Sequence, residues 1–178
     1  MQIIRREDFR EGRWKNGLGL SWGIAADQLA ADEFGWRFAL ARIDRDVSFS
    51  LYPGVDRIFT LVEGDGLDLD LEGRPPLAVG RRFVPHVYPC DVPAFCRLRG
   101  GACRALNLFY RRGAFTAGAD VLSSAAEIVH PGQVLLFALH GAADVNGASL
   151  RPGDAAIAAG SLRAETEGFL FAARLSPE

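Results

Sequence analysis

The sequence predicts an all-β fold. Helical periodicity is weak along the chain, and most apolar stretches are short, rich in β-branched or aromatic residues, and bounded by Gly, Pro, Asp or Asn. Strict alternation at residues 67–71 places three leucines on one face of a strand and two aspartates on the other. Many short strands separated by turn signals are typical of an antiparallel barrel or sandwich rather than of βαβ units.

The expected strands follow one another along the whole chain. They are residues 18–26, 36–43, 58–63, 67–71, 95–99, 104–110, 134–139 and 169–175. One short helix is expected at residues 27–34, where an Ala-rich stretch ends before Gly35. Between the third and fourth strands, Gly64 and Gly66 can adopt a positive φ, so we expect a tight hairpin there.

Composition limits the possible functions. The 178 residues are 49% hydrophobic and 24% charged, as in ordinary globular domains. The net charge of −2 gives no basic field for a phosphate backbone, so no nucleic-acid partner is expected. No secretory signal and no long apolar run occur, which predicts a cytoplasmic protein without a membrane partner. Cys90, Cys96 and Cys103 are expected to be buried thiols.

A repeated segment indicates the architecture. Residues 77–84 align with residues 150–157, and each copy lies between two apolar strands. The second copy contains Pro152-Gly153-Asp154, followed by Ile157 and Gly160, and resembles the loose cupin pattern. We therefore predict cupin-type antiparallel β-barrels, two in one chain, with the second one smaller. Residues 1–113 would form the N-terminal barrel with its N-terminal strands, and residues 114–178 a degenerate C-terminal barrel.

Four motifs resemble the HutD/Ves family in order and spacing. They are WKNGLG at residues 14–19, GWRFALA at 35–41, FSLYPGVDR at 49–57 and LNLFYRRG at 106–113. The resemblance implies a bicupin fold in a cytosolic bacterial protein. For members linked to histidine utilisation, it implies binding of a small carboxylate such as formylglutamate or urocanate, which restrains flux. It implies no established catalytic activity.

Three positions depart from the family pattern. Leu18 stands where members usually have a second glycine, and Ser21 stands where they have threonine. Ala105 replaces an aspartate that usually comes shortly before the asparagine of the fourth motif. Loss of this carboxylate removes a charge partner or a hydrogen-bond acceptor, which bears on the ligand and not on the fold.

Histidine placement argues against a metal centre. Metal-binding cupins supply two or three histidines and a carboxylate at close spacing, whereas His86, His130 and His140 form no such pair. We therefore expect neither a metal nor another cofactor. His86, next to Pro85, is interpreted as a loop residue.

The loop at residues 12–17 combines an aromatic ring, a cation and an amide. Lys15 is the single lysine among 20 basic residues, and it could offer its charge to a carboxylate. Asn16 could add hydrogen bonds, and Trp14 could wall a pocket. The alternative is that Asn16-Gly17 only makes a sharp turn.

Four further side chains are candidates for the ligand-binding site. Arg57 follows a Pro-Gly-x-Asp turn and could hold a carboxylate by two hydrogen bonds, or form a salt bridge with Asp56 or Glu63. Arg37 faces either the pocket or solvent. Asn107, in an apolar strand, contacts either a ligand or the structure itself. Ser50 could contribute a hydroxyl.

These observations favour a non-enzymatic protein that binds a small anionic metabolite in a metal-free cupin pocket, with a regulatory role in histidine utilisation. The predicted ligand-binding residues are Trp14, Lys15, Asn16, Arg37, Ser50, Arg57 and Asn107, with no catalytic residue. One alternative is a metal-free isomerase or lyase in which a desolvated Lys15 acts as acid, base or amine nucleophile. Another is a structural module, and a homodimer is possible in either case.

Overall fold

Antiparallel strands occupy most of the chain. The computed structural model describes residues 1–30 and 33–178, with the backbone alone for residues 29 and 30. The strands are β1 (Gln2–Ile4), β2 (Arg10–Arg13), β3 (Leu20–Ala30), β4 (Glu33–Ile43), β5 (Val47–Ser48), β6 (Val55–Glu63), β7 (Leu67–Leu71), β8 (Leu77–Val79), β9 (Pro85–Pro89), β10 (Ala94–Leu98), β11 (Cys103–Arg111), β12 (Phe115–Leu122), β13 (Ala126–His140), β14 (Ala143–Val145), β15 (Ala148–Leu150), β16 (Ala155–Thr166) and β17 (Phe169–Pro177). A 3₁₀ turn at Arg6–Asp8 is the only helical segment in the described part. No described helix is long and apolar enough to cross a bilayer.

The predicted all-β class is confirmed, whereas the predicted helix is wrong. Each expected strand coincides with an observed one, and residues 27–30 and 33–34 belong to β3 and β4. Residues 31 and 32 lie outside the described part. Asp27 pairs with Trp36, and Gln28 with Phe34. The backbone hydrogen bonds of this long hairpin therefore override the helix propensity of its alanines.

Two compact units make up the chain, and we call them the central unit and the terminal unit. The central unit is Arg10–Arg112, and the terminal unit is Met1–Phe9 together with Gly113–Glu178. The predicted division at residue 113 assigns the first nine residues differently, because β1 pairs with β16 in the terminal unit. Whether each unit is a separate cupin barrel stays a prediction.

Two sheets enclose the core of the central unit. The six-stranded sheet has the order β2-β3-β4-β11-β6-β9, and the four-stranded sheet has the order β5-β10-β7-β8. Phe59 and Leu61 of the larger sheet pack in one apolar cluster with Leu67 and Leu69 of the smaller one. Cys90, Cys96 and Cys103 are free and buried, as predicted, and burial raises the pKa of Cys96 to about 12.

The connection between β6 and β7 is a corner between these sheets rather than the expected hairpin. Strand β6 pairs with β11 and β9, whereas β7 pairs with β10 and β8. Gly64 and Gly66 both have a φ of +105°, and a Cβ on Gly66 would lie 2.6 Å from the Val79 carbonyl oxygen. The glycines are therefore needed for a turn that passes from one sheet to the other.

The terminal unit is a single sheet of the order β12-β17-β13-β16-β14-β15, with β1 also paired to β16. The buried Asp154 binds the N-terminal residues Arg5 and Arg6 to the rest of the terminal unit. Its carboxylate accepts hydrogen bonds from Arg5 Nη1 at 2.6 Å, from the Arg6 backbone N–H at 3.1 Å and from the Arg151 backbone N–H at 3.0 Å. Burial alone would raise the pKa of Asp154, but hydrogen bonds, first from Arg151 and then from Arg5, lower it to about 2.

Asp154→Asn is expected to lower the free energy of unfolding by about 2 kcal/mol at neutral pH, because the neutral amide loses the charge-assisted hydrogen bonds. The folded-state pKa lies below the ordinary value of 3.8. The contribution of the carboxylate is therefore complete above about pH 4 and disappears as the pH falls through about 2. Urea unfolding of both proteins between pH 2 and pH 7 measures this difference.

Asp120→Asn is the matched control, because Asp120 forms an exposed ion pair with Arg174. Its effect should stay within about 0.5 kcal/mol. An equal loss in the two variants, or a loss at Asp154 that persists at pH 2, would contradict the role given to Asp154.

Candidate functional site

A cavity of about 400 Å³, including the part that opens to solvent, lies in the central unit. Five of the seven predicted ligand-binding residues line it: Trp14, Arg37, Ser50, Arg57 and Asn107. The rest of the lining consists of Ser21, Ala39, Ala41, Phe49, Tyr52 and Phe109. Aromatic rings and small side chains surround the cavity. Its polar side-chain groups are two guanidinium groups, one amide, one indole N–H and three hydroxyls.

The register of three neighbouring strands brings the charged groups together. Phe109 of β11 lies directly opposite Arg37 of β4 on one side and Arg57 of β6 on the other. Asn107 is two residues earlier and therefore faces the same side of the sheet. It is a diagonal neighbour of both arginines, at a Cα separation of about 7–8 Å. Of the two alternatives for the side chain of Arg37, pocket or solvent, the structure therefore shows that it lines the cavity.

Arg57 is buried in a cage of aromatic rings. Arg57 is only 8% exposed. Its Cζ atom lies 4.4 Å from the Phe109 ring centroid and 5.0 Å from that of Phe49. Tyr88 and Phe59 complete the cage at 5.6 and 5.8 Å. Cation–π attraction to these faces offsets part of the cost of removing the guanidinium from water.

The charge of Arg57 has no counter-charge among the described residues. The salt bridge that the sequence left open is not formed, because Asp56 pairs with Arg112 at 2.6 Å and Glu63 pairs with Arg104 at 3.5 Å. Arg57 Nη1 donates a hydrogen bond to the Tyr88 hydroxyl at 2.5 Å. Burial raises the pKa of Tyr88, although Arg57 opposes that shift, so the phenol is neutral and supplies no negative charge.

Part of the guanidinium also lacks hydrogen bonds. The buried Nε atom of Arg57 has no hydrogen-bond partner in the described part of the chain. Because Nη1 is occupied by Tyr88, the Nε side of the planar group is the free donor edge. Such an edge suits a carboxylate, which can accept two parallel hydrogen bonds. The cavity therefore has in its lining a buried cation with a donor that no described residue accepts.

Asn107 presents an acceptor in the same cavity. Its residue is 1% exposed, and its Nδ2 donates to the Ala105 carbonyl oxygen at 3.0 Å. The Oδ1 atom is buried and has no partner among the described residues. Ala105, where the family pattern has an aspartate, is itself buried in the apolar cluster of the central unit.

Lys15 and Asn16 lie outside the cavity lining. Asn16 Nδ2 donates to the Ser48 carbonyl oxygen at 2.9 Å, and the Asn16 backbone N–H donates to Ser50 Oγ at 3.2 Å. Lys15 is exposed, with Nζ 3.4 Å from the Leu51 carbonyl oxygen and 5.2 Å from the Tyr52 ring centroid. These contacts attach the loop to the segment that carries the lining residue Ser50, so Asn16 acts here as a clamp.

Trp14 is the loop residue that reaches the cavity. Its indole N–H donates to the Leu20 carbonyl oxygen at 3.0 Å, and its ring meets Phe49 edge-on at 5.5 Å. A Cβ on Gly19 would lie 2.4 Å from the indole, so glycine at this position lets the ring pack flat against the backbone. The predicted wall is therefore formed by Trp14.

Sequence reasoning missed the aromatic cage and one hydroxyl. Phe49, Tyr52 and Phe109 belong to quoted motifs, but nothing local distinguishes an aromatic residue in a pocket from one in a core. Tyr88 lies on β9 opposite Arg57, and the register alone reveals it. Ser21, noted only as a replacement for threonine, is also in the lining.

The donor set of the cavity does not fit a metal ion. Its lining includes no imidazole, thiolate or carboxylate, the usual side-chain ligands of transition metals, and its two guanidinium groups would repel a cation. His86 belongs to strand β9, so its interpretation as a loop residue is wrong, and burial lowers its pKa. In the described part of the chain, no group of three or more His, Cys, Asp or Glu residues is arranged to hold a metal.

Comparison with known proteins finds relatives over nearly the whole chain. The model of the HutD family matches residues 6–171. An uncharacterized 21.2 kDa protein in the hutC 3′ region of Pseudomonas putida is 33% identical over 142 residues, which are 78% of this chain and 73% of that protein. Protein Ves of Citrobacter koseri is 40% identical over 101 residues, 56% of this chain and 52% of its own.

Solved structures agree with the fold. HutD from Pseudomonas fluorescens SBW25, in a formate condition, has a TM-score of 0.89 at 26% identity, covering 99% of this chain and 98% of that one. Bacillus subtilis oxalate decarboxylase has a TM-score of 0.68 at 9% identity, covering 98% of this chain and 77% of that one. The second likeness concerns the fold alone, and the cupin-type class predicted from the sequence is confirmed.

In a Tyr88→Phe background, where no buried hydroxyl is left without its partner, Arg57→Met is expected to raise the free energy of unfolding of the ligand-free protein by about 1–3 kcal/mol, because it removes a buried charge that has no counter-ion. Urea unfolding without added anions measures the change. Arg37→Met is the control, because Arg37 is only half buried, and its effect should be within about 0.5 kcal/mol. A large loss of stability in Arg57→Met would mean that the guanidinium is a structural element and not an unpaired charge.

Asn16→Ala is expected to loosen the loop at residues 14–19 and to cost about 1 kcal/mol, because two side-chain hydrogen bonds are lost. Hydrogen exchange of the loop amides should accelerate. Lys15→Ala removes one long hydrogen bond and one exposed cation–π contact, and it should leave the exchange rates unchanged. Equal acceleration in the two variants would contradict the clamp assigned to Asn16.

Proposed function

We propose that this chain, which belongs to the HutD family, binds a small carboxylate metabolite in the cavity of its central unit. The observation that carries the proposal is Arg57, a buried guanidinium without a counter-charge among the described residues and with a free donor edge. A buried charge is costly unless it is paired. An anionic ligand supplies the missing partner, and aromatic walls around the pair strengthen its attraction by excluding water.

The second guanidinium favours a ligand with more than one anionic or polar end. Arg37 lines the same cavity on the opposite side of Phe109 and has no ion pair to a described residue. These features suit a compound of the formylglutamate or urocanate type, held at its carboxylate by Arg57.

A role in histidine utilisation agrees with the relatives. One of them is described by its position in the hutC 3′ region, and the similar solved structure is that of HutD. That HutD structure was determined in a formate condition, and formate is the simplest carboxylate. Binding of a pathway acid without turnover would allow the protein to respond to the level of that acid, which is the regulatory role that we propose.

Binding without catalysis is the version that the geometry supports. An isomerase or lyase that uses Lys15 would need a desolvated ammonium group. Lys15 is exposed, and its Nζ lies beside a backbone carbonyl outside the cavity lining. The lining offers cations, an amide and hydroxyls, which bind and orient an acid but include no group suited to removing a proton from it.

Thermal unfolding with formylglutamate, urocanate, glutamate and formate tests the proposal. The acid that binds should stabilise the protein by about 2.7 kcal/mol at a concentration of about 100 times its Kd. Arg57→Met should weaken binding at least about thirtyfold, because it removes one partner of a buried charge pair.

Arg97→Met is the matched control. It removes one positive charge from the central unit, but Arg97 pairs with Asp70 outside the cavity. Affinity should then stay within about twofold of the wild type. Failure of all four acids to stabilise the wild-type protein, or equal weakening by the two variants, would contradict the proposal.

A further inference from the structure

We infer that the ligand of the central cavity carries an N–H or O–H donor a few bonds away from its carboxylate, and that Asn107 Oδ1 accepts the hydrogen bond from this donor. The inference rests on the proposed function and narrows the class of acids from which the ligand comes. Simple carboxylates without a donor would bind Arg57 and leave the amide oxygen unsatisfied.

The orientation of the Asn107 amide is fixed by its neighbour. Nδ2 donates to the Ala105 carbonyl oxygen at 3.0 Å. Rotation of the amide by half a turn would place Oδ1 against that carbonyl, so that two acceptors would face each other. The atom left free is therefore the oxygen, and the cavity presents an acceptor and not a donor at this point.

The unpaired Oδ1 atom points to a function because leaving it without a hydrogen bond destabilises the ligand-free protein. Asn107 is 1% exposed, and Oδ1 has no partner within the described residues. A buried polar atom without a hydrogen bond destabilises the folded protein, because it has lost its hydrogen bonds to water. A leucine of similar size would avoid this cost among the apolar neighbours of the strand. An N–H or O–H group of a bound ligand would supply the missing hydrogen bond.

The position of Asn107 sets the distance between the two groups of the ligand. Asn107 and Arg57 are diagonal neighbours on adjacent strands, since Phe109 pairs with Arg57 and Asn107 pairs with Phe59. Both line the same cavity. Diagonal side chains on one face are close enough for a single small molecule to touch both. N-acylated amino acids and hydroxy acids have the required arrangement.

Two pairs of acids test the inference, each with and without the donor. They are N-formylglutamate with N-formyl-N-methylglutamate, and 2-hydroxyglutarate with glutarate. Isothermal titration of the wild-type protein should show about tenfold tighter binding of the donor-bearing member of each pair that binds. Asn107→Leu should reduce this ratio to about one, and any preference that comes from the extra methyl group would remain in the variant.

Thr60→Val is the matched control. The Thr60 hydroxyl is likewise buried and without a described partner, but Thr60 does not line the cavity. Its removal should leave the ratio unchanged. Circular dichroism and urea unfolding check that both variants are folded.

The outcomes separate the two claims. If none of these four acids and none of urocanate, glutamate and formate binds the wild-type protein, the proposed function fails and the inference fails with it. If acids bind and Arg57→Met weakens them, but the donor gives no preference or the preference persists in Asn107→Leu, the inference alone is overturned. Loss of the preference in Thr60→Val would also overturn it.

Discussion

The register of β11 between β4 and β6 is the constraint on which the candidate site depends. It places Arg37, Phe109 and Arg57 in one row and Asn107 in the next row on the same face. A slip of one residue in either pairing would turn these side chains to the opposite face of the sheet. The buried apolar side chains of β4, β6 and β11 hold this register. Strand pairing therefore specifies the packing of the core and the geometry of the candidate site together.

Arg57 is a buried cation that its surroundings hold without neutralising it. Four aromatic rings surround the guanidinium, and one of them, the neutral phenol of Tyr88, also accepts a hydrogen bond from it, yet none of them neutralises the charge. Nearby acids are occupied elsewhere, Asp56 by Arg112 and Glu63 by Arg104. The cation is therefore kept available by the pairing of its neighbours as much as by its own contacts. Ala105 adds no carboxylate to this face.

The sequence was sufficient for the eight expected strands and for part of the candidate site, because alternation and motif composition are local properties. The other nine strands of the described chain were not predicted from it. Arg57 and Asn107 could be singled out in this way. The function of Asn16 could not, since its partners lie 32 and 34 residues away and only folding brings them together. The expected hairpin at Gly64 failed for the same reason, since β6 pairs with the distant β11 and β7 with the distant β10. The expected helix at residues 27–34 is replaced instead by the local pairing of β3 with β4.

The attachment of β1 to β16 has a consequence for synthesis on the ribosome. Gln2 pairs with Ile157, and the Asp154 carboxylate that fastens Arg5 also emerges late. The segment Arg10–Arg112 is complete well before that point. A nascent chain can thus fold the segment Arg10–Arg112 while β1 still lacks its partner strand β16. Pairing β1 with β16 closes the long loop between them, and the entropic cost of that closure falls on the last stage of folding.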